Sequence, residues 1–211
     1  MKSFKRGQKG FTLVELAIAL VIIGIIMGVV LKGQDLLQNA RSKKFISKTK
    51  AWEVAQWTYT DRKGVFAGDT DADGKIGDGN VNTALVAANF IYPPYEGAAG
   101  AETNTIAMGS LTFYVFFGTD GGADAGKNIM VICKDAACST FTSDEILYAE
   151  ALDTSLDGSS NGAAGQVIGV NAAPGTITAL EWEAVYAAAP AAAAWTALTT
   201  SAIVYYFDSK R

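Results

Sequence analysis

Hydrophobic and polar positions follow three regimes along this chain of 211 residues. Residues 11–31 read FTLVELAIALVIIGIIMGVVL, a run in which only Thr12, Glu15, Gly24 and Gly28 are not apolar. As a helix this run spans about 31 Å at roughly 1.5 Å per residue, which matches a bilayer core. A core helix of that length normally shows one polar face, and this run has none. The next stretch, 32–62, is amphipathic. Phe45, Trp52, Ala55 and Tyr59 recur on one face, while Lys43, Lys44, Lys48 and Lys50 lie mostly elsewhere. The pattern predicts one continued helix of more than about 70 Å, with the aromatic stripe packed on a globular head.

From residue 63 onward the pattern breaks into short elements. Residues 105–117 and 128–133 are rich in β-branched and aromatic residues and flank a Gly/Asp-rich loop, which predicts a hairpin. A helix is expected over 143–156, with Thr142 or Ser143 as cap and Glu145 in its first turn. Further strands are expected at 166–170 and 202–207, the last at the edge or end of the sheet. The Ala-rich segment 180–198 reads as helical, interrupted at Pro190. The predicted fold class is α+β: a long N-terminal helix, half membrane-like and half amphipathic, on a small antiparallel sheet.

Charge sharpens this division. Residues 1–10 carry four basic groups and no acid, residues 32–63 eight Lys/Arg against three acids, and residues 64–211 five against seventeen. The head is therefore anionic and the stalk cationic. An anionic head argues against broad nucleic-acid binding, which needs clustered Lys/Arg. The chain has no histidine. That removes Ser-His-Asp and Cys-His catalysis, His-ligated metals and histidine pH switching. Two cysteines cannot close a four-thiolate metal site. With no nucleophile–base pair in view, the sequence reads as a non-enzyme.

Glu15 is the anomaly of the apolar run. A carboxylate there costs roughly 2.5–3.5 kcal/mol on insertion scales. It needs a partner, a task, or a place near the interface where it reaches headgroup water. Gly24 and Gly28 form a small-xxx-small pair that allows close helix approach in lipid. The stretch Lys9, Gly10, Phe11, Thr12, Leu13, Val14, Glu15, Leu16, behind the basic leader Lys2, Lys5, Arg6, Lys9, resembles the processing site of type IV prepilins and type II secretion pseudopilins. The resemblance covers about the first 35 residues.

It implies a leader (1–10) cut by a prepilin peptidase between Gly10 and Phe11, methylation of the new Phe11 amine, and a membrane or filament-core helix (11–31). Glu15 would pair with the Phe11 ammonium of a neighbouring subunit. It further implies a pilin-like head (63–211), an inner-membrane precursor with a periplasmic head, and assembly into an extracellular pilus or a periplasmic pseudopilus. A minor pilin acting in adhesion or DNA uptake is a further alternative. Many pilins kink the first helix at a proline past the membrane segment, whereas the first proline here is Pro93.

Two features of the head carry chemistry. Asp69, Asp71, Asp73 and Gly74 match D-x-D-x-D-G, the start of a calcium loop, in which alternating acids converge on one point. Lys75 offers a carbonyl, and Asp78 or Asn80 would complete the shell. Asn80 stands where an EF-hand has its bidentate Glu, and no clear exiting helix follows at once. The alternative is an Asp/Gly-rich turn. Cys133 and Cys138 enclose four residues. In a head outside the cytoplasm the natural reading is a disulfide, and the alternative is two buried thiols.

Overall fold

The computed structural model describes residues 11–88, 94–122 and 125–208. Helix α1 runs uninterrupted from Leu13 to Lys63, about 77 Å at ~1.5 Å per residue. Its end lies within a residue of the expected boundary. The chain divides into two units, at Ala40 and Arg41. In the first, the apolar residues from Phe11 to Leu37 are all exposed. This is a helix long and apolar enough to cross a membrane, and nothing in its own unit covers it.

The second unit holds every buried side chain among the described residues, beginning with Phe45. After α1 come α2 (Val81–Ala88), the ribbon β1 (Glu96–Ala98) with β2 (Ala101–Thr103), and the strands β3 (Thr105–Met108), β4 (Leu111–Thr119) and β5 (Asn128–Cys133). Helix α3 (Ser143–Asp157) follows, then β6 (Val167–Val170), β7 (Thr176–Thr178), β8 (Glu183–Val185), β9 (Ala192–Ala193) and β10 (Ala202–Tyr205). The main sheet is ordered β7-β8-β4-β5-β10-β6-β9, with β3 also on β4. It is antiparallel apart from one bridge, Phe117 to Glu183, between β4 and β8. The α+β class of the sequence reading holds.

Strand alternation splits the core between the sheet's two faces. Phe113, Val115 and Phe117 of β4, Met130 and Ile132 of β5, and Ile203 and Tyr205 of β10 join one cluster with Phe45, Trp52 and Ala55 of α1. Phe116, Ile129, Val131, Val204 and Tyr206 form the other, with Tyr186 and Cys138. The stripe on α1 therefore has its expected function. Phe45 meets Phe113 at 4.8 Å and Tyr148 at 5.6 Å between ring centroids, and Trp52 meets Trp182 edge-on at 5.5 Å. Thr49 and Gln56 are buried on the same face. Gln56 is satisfied by the Ala67 backbone, accepting from its N–H at 3.0 Å and donating to its carbonyl at 3.3 Å.

Four expectations need correction. Residues 105–117 are two strands rather than one, because the chain turns at Gly109, whose φ is +72°. A helix, α2, does follow the acidic loop, capped where Asn80 Oδ1 accepts from Thr83 N–H at 2.7 Å. Strand β10 lies between β5 and β6, inside the sheet instead of at its edge. The Ala-rich segment is not helical. Strands β8 and β9 lie within it, since pairing to Phe117, Gly169 and Val170 outweighs the helix propensity of alanine.

Candidate functional site

The N-terminal region is built around Thr12 and Glu15. The Thr12 backbone N–H and hydroxyl both donate to Glu15 Oε2, at 2.9 Å and 3.0 Å, and Glu15 N–H donates to Thr12 Oγ1 at 3.3 Å. This is a capping box, which satisfies donors left over at a helix N-terminus. The same device opens α3, where Thr142 N–H and hydroxyl donate to Glu145 Oε2 at 2.7 Å and 2.9 Å. The T-x-x-E spacing was legible at residues 12–15 and overlooked there. It gives Glu15 a local partner through one oxygen, while Oε1 makes no hydrogen bond among the described residues. Gly10 lies outside the described residues. A Cβ built on Gly24 or Gly28 meets nothing within 4 Å, so any close packing at these glycines must come from another chain.

The acidic loop brings Asp69, Asp71 and Asp73 together, with one oxygen of each within 4.8 Å of the others. Backbone turns orient them. Asp69 accepts from Ala72 N–H at 2.7 Å and Gly74 N–H at 3.0 Å, Asp71 from Asp73 N–H at 3.1 Å, and Asp73 from Lys75 N–H at 2.7 Å. Gly68 is required at the base, because at φ +97° a Cβ would meet Val81 Cγ2 at 2.6 Å. Ile76 anchors the far side, buried and donating its N–H to Asn128 Oδ1 at 2.9 Å. Three hard carboxylate donors on one loop can take a divalent cation.

The remaining loop residues are engaged elsewhere. Asp78 accepts from Thr70 hydroxyl at 2.7 Å and Thr70 N–H at 3.0 Å. Burial pushes its carboxyl up, but these hydrogen bonds prevail and leave it below the usual range. Asn80 caps α2, and Lys75 Nζ donates to the Gly126 carbonyl.

Cys133 and Cys138 are joined in a disulfide and both are buried. Cys133 closes β5, and the intervening turn is held by Asp135, which accepts from Ala137 N–H and Ser139 N–H, each at 3.0 Å. Sequence reasoning missed two buried acids, Asp153 and Glu183. Asp153 Oδ2 accepts from Gly162 N–H at 2.9 Å and Trp195 Nε1 at 2.8 Å, and its Oδ1 has no partner. Glu183 lines a cavity beside β7 and β8. Burial depends on contacts far apart in sequence, so no local pattern marks either one.

Comparison with known proteins bears on this arrangement. Residues 5–31 match the family model described as the prokaryotic N-terminal methylation motif. The chain is 34% identical over 150 residues to the fimbrial protein EcpC of Eikenella corrodens, an alignment covering 65% of this chain and 98% of that protein. No solved structure matches the chain.

Proposed function

The chain belongs to the family of prepilin-processed type IV pilins and pseudopilins and is a pilin-like structural subunit; from that premise we propose that it builds a type IV pilus. The observation that carries this is the first unit of α1. Its apolar residues are all exposed, those up to Leu31 lie within the matched methylation motif, and only a membrane or other subunits would cover them. The relative's description as a fimbrial protein favours a pilus over a secretion pseudopilus.

In this reading a prepilin peptidase cuts between Gly10 and Phe11 and methylates the Phe11 amine. The precursor sits in the inner membrane with its head in the periplasm. Cleavage then creates a positive charge at the edge of the apolar run, one helical turn from Glu15. When helices pack together in a filament, water leaves both groups and the Phe11 ammonium pairs with Glu15 of a neighbour. The capping box leaves Oε1 for that pairing while Oε2 serves its own helix. Gly24 and Gly28 would let neighbouring helices approach closely. Calcium at Asp69, Asp71 and Asp73, with the Lys75 carbonyl as a further donor, belongs to the same proposal as a structural ion. Its support is the convergence of the three carboxylates.

Mass spectrometry of filament or membrane material tests the processing step. The expected chain begins at a methylated Phe11. Gly10→Val should block cleavage by placing a branched side chain where the peptidase accepts none, and normal processing of that variant would contradict the assignment.

A further inference from the structure

A cavity of about 410 Å³ opens beside β7 and β8, lined by Gly77, Gly122, Gly175, Thr176, Val185 and Glu183 among others. Its walls are open because three separate segments contribute glycines. A Cβ on Gly122 meets nothing within 4 Å, and one on Gly175 meets only the Val185 carbonyl, at 3.9 Å. Among the described residues, one titratable group lines the space. Glu183 is 8% exposed, and its carboxylate has no hydrogen-bond or ion-pair partner among the described residues. The other buried acids each accept hydrogen bonds, although Asp153 Oδ1 has no partner. Asp69 accepts from Ala72 and Gly74, Asp120 from Lys127 N–H and Tyr206 hydroxyl, Glu145 from Thr142, and Asp153 from Gly162 and Trp195.

A carboxylate at the wall of an open cavity, on a residue 8% exposed and without a counter-charge, favours a positively charged occupant. Two neighbours strengthen the demand, since Glu181 and Asp78 add negative potential at the same carboxyl. A hard divalent cation needs several converging oxygens, and the acids that do converge in this head are Asp69, Asp71 and Asp73, without Glu183. One carboxylate in the lining of a cavity otherwise bordered by glycines, Thr176, Val185 and Ala187 instead suits a single cationic head on an alkyl stem.

We propose that this cavity binds an alkylammonium group, supplied in the assembled state by a lysine side chain of a second copy of this chain. The second copy is favoured by charge complementarity. Residues 32–63 hold eight Lys/Arg against three acids, and residues 64–211 hold five against seventeen. Lys32, Lys43 and Lys63 are exposed and make no hydrogen bond or ion pair among the described residues. That source rests on the reading of the chain as a filament subunit; the ammonium site itself does not.

The test has two arms on the full chain. In detergent, N-α-acetyl-lysine methylamide and butylammonium chloride are titrated at matched ionic strength, following the amide resonances of Thr176, Glu183 and Val185. Wild type should show saturable shifts that strengthen from pH 6 to pH 8, because the ionised carboxylate is the binding form. Affinity should fall at least tenfold in Glu183→Gln, and likewise in Gly175→Leu, which fills the cavity and keeps the acid. Absence of saturable shifts in folded wild type, or their persistence in Glu183→Gln, overturns the site. This arm needs no filament, so its failure is separate from failure of the filament reading.

In the second arm, assembled material is treated with a carbodiimide. It activates the carboxylate, and an adjacent lysine amine then displaces the urea to form an amide. Mass spectrometry should find Glu183 joined to a lysine of another copy. Binding in the first arm without that amide in filaments overturns the second copy as the source and leaves a site for free amines.

Discussion

Glu183→Gln offers a quantitative test of the buried acid, independent of any occupant. Burial is the main reason that the Glu183 carboxyl is pushed from 4.5 up to about 7, with Glu181 and Asp78 adding to it. The folded state therefore binds this proton more tightly than the unfolded chain does. The stabilisation it brings is complete below about 4.5 and is lost as pH rises through about 7. At ~1.4 kcal/mol per pH unit, the whole interval corresponds to about 3 kcal/mol above neutrality. The carboxylate borders an open cavity, so solvent screening reduces the expected effect to about 1–2 kcal/mol. Gln keeps the size and carries no charge at any pH. Against wild type it should be neutral near pH 4.5 and stabilising at pH 8, by roughly 2–8 °C in Tm for a domain of this size. The assay is thermal unfolding of residues 41–211, the unit with its own core, followed by circular dichroism across that pH range. A difference between variant and wild type that stays flat from pH 4.5 to pH 8 would refute the reasoning.

Two further predictions concern the head. Millimolar calcium should raise the Tm of residues 41–211, because a ligand bound only by the folded state stabilises it by mass action. Asp71→Ala with Asp73→Ala should abolish that rise, and a wild type indifferent to calcium would reduce the loop to a turn. Trp195→Phe removes the Nε1 donor to Asp153, whose carboxylate is fully buried and already has one unpartnered oxygen. Denaturant unfolding should show a loss of about 1–3 kcal/mol, and an unchanged midpoint would mean that water replaces the donor.

What could be read from the sequence was local. The apolar run, the aromatic stripe on α1 and the Thr142/Glu145 start of α3 each announce themselves within one or two turns of chain, and each fell where expected. The hairpin turn at Gly109 was hidden in a stretch whose flanks are strongly β-forming. Helix α2 is short and mostly apolar, so it lacks the polar face that signals an amphipathic helix. The central place of β10 and the strand character of the alanine-rich segment depend on partners tens of residues away. No propensity reports that pairing. Glu183 and Asp153 stayed invisible for the same reason, being ordinary acids until the sheet and its loops close around them. Glu15 is the reverse case. Its oddity was plain, but a second role sat beside it in T-x-x-E, and only the geometry separates a capping carboxylate from an assembly carboxylate.

That separation gives the most direct test of the central claim, that Glu15 carries charge for assembly as well as capping its own helix. Glu15→Gln keeps an acceptor for the Thr12 donors, as a capping-box glutamine does, and removes the charge that would meet the Phe11 ammonium. Membrane level, cleavage and sheared filaments are measured together for wild type, Glu15→Gln and Glu15→Ala. Leaving a buried charge unpaired typically costs about 3–5 kcal/mol. Both variants should therefore be inserted and cut near normally while forming few or no filaments. Glu15→Gln chains that polymerise like wild type would show that the cap alone suffices and would contradict the account.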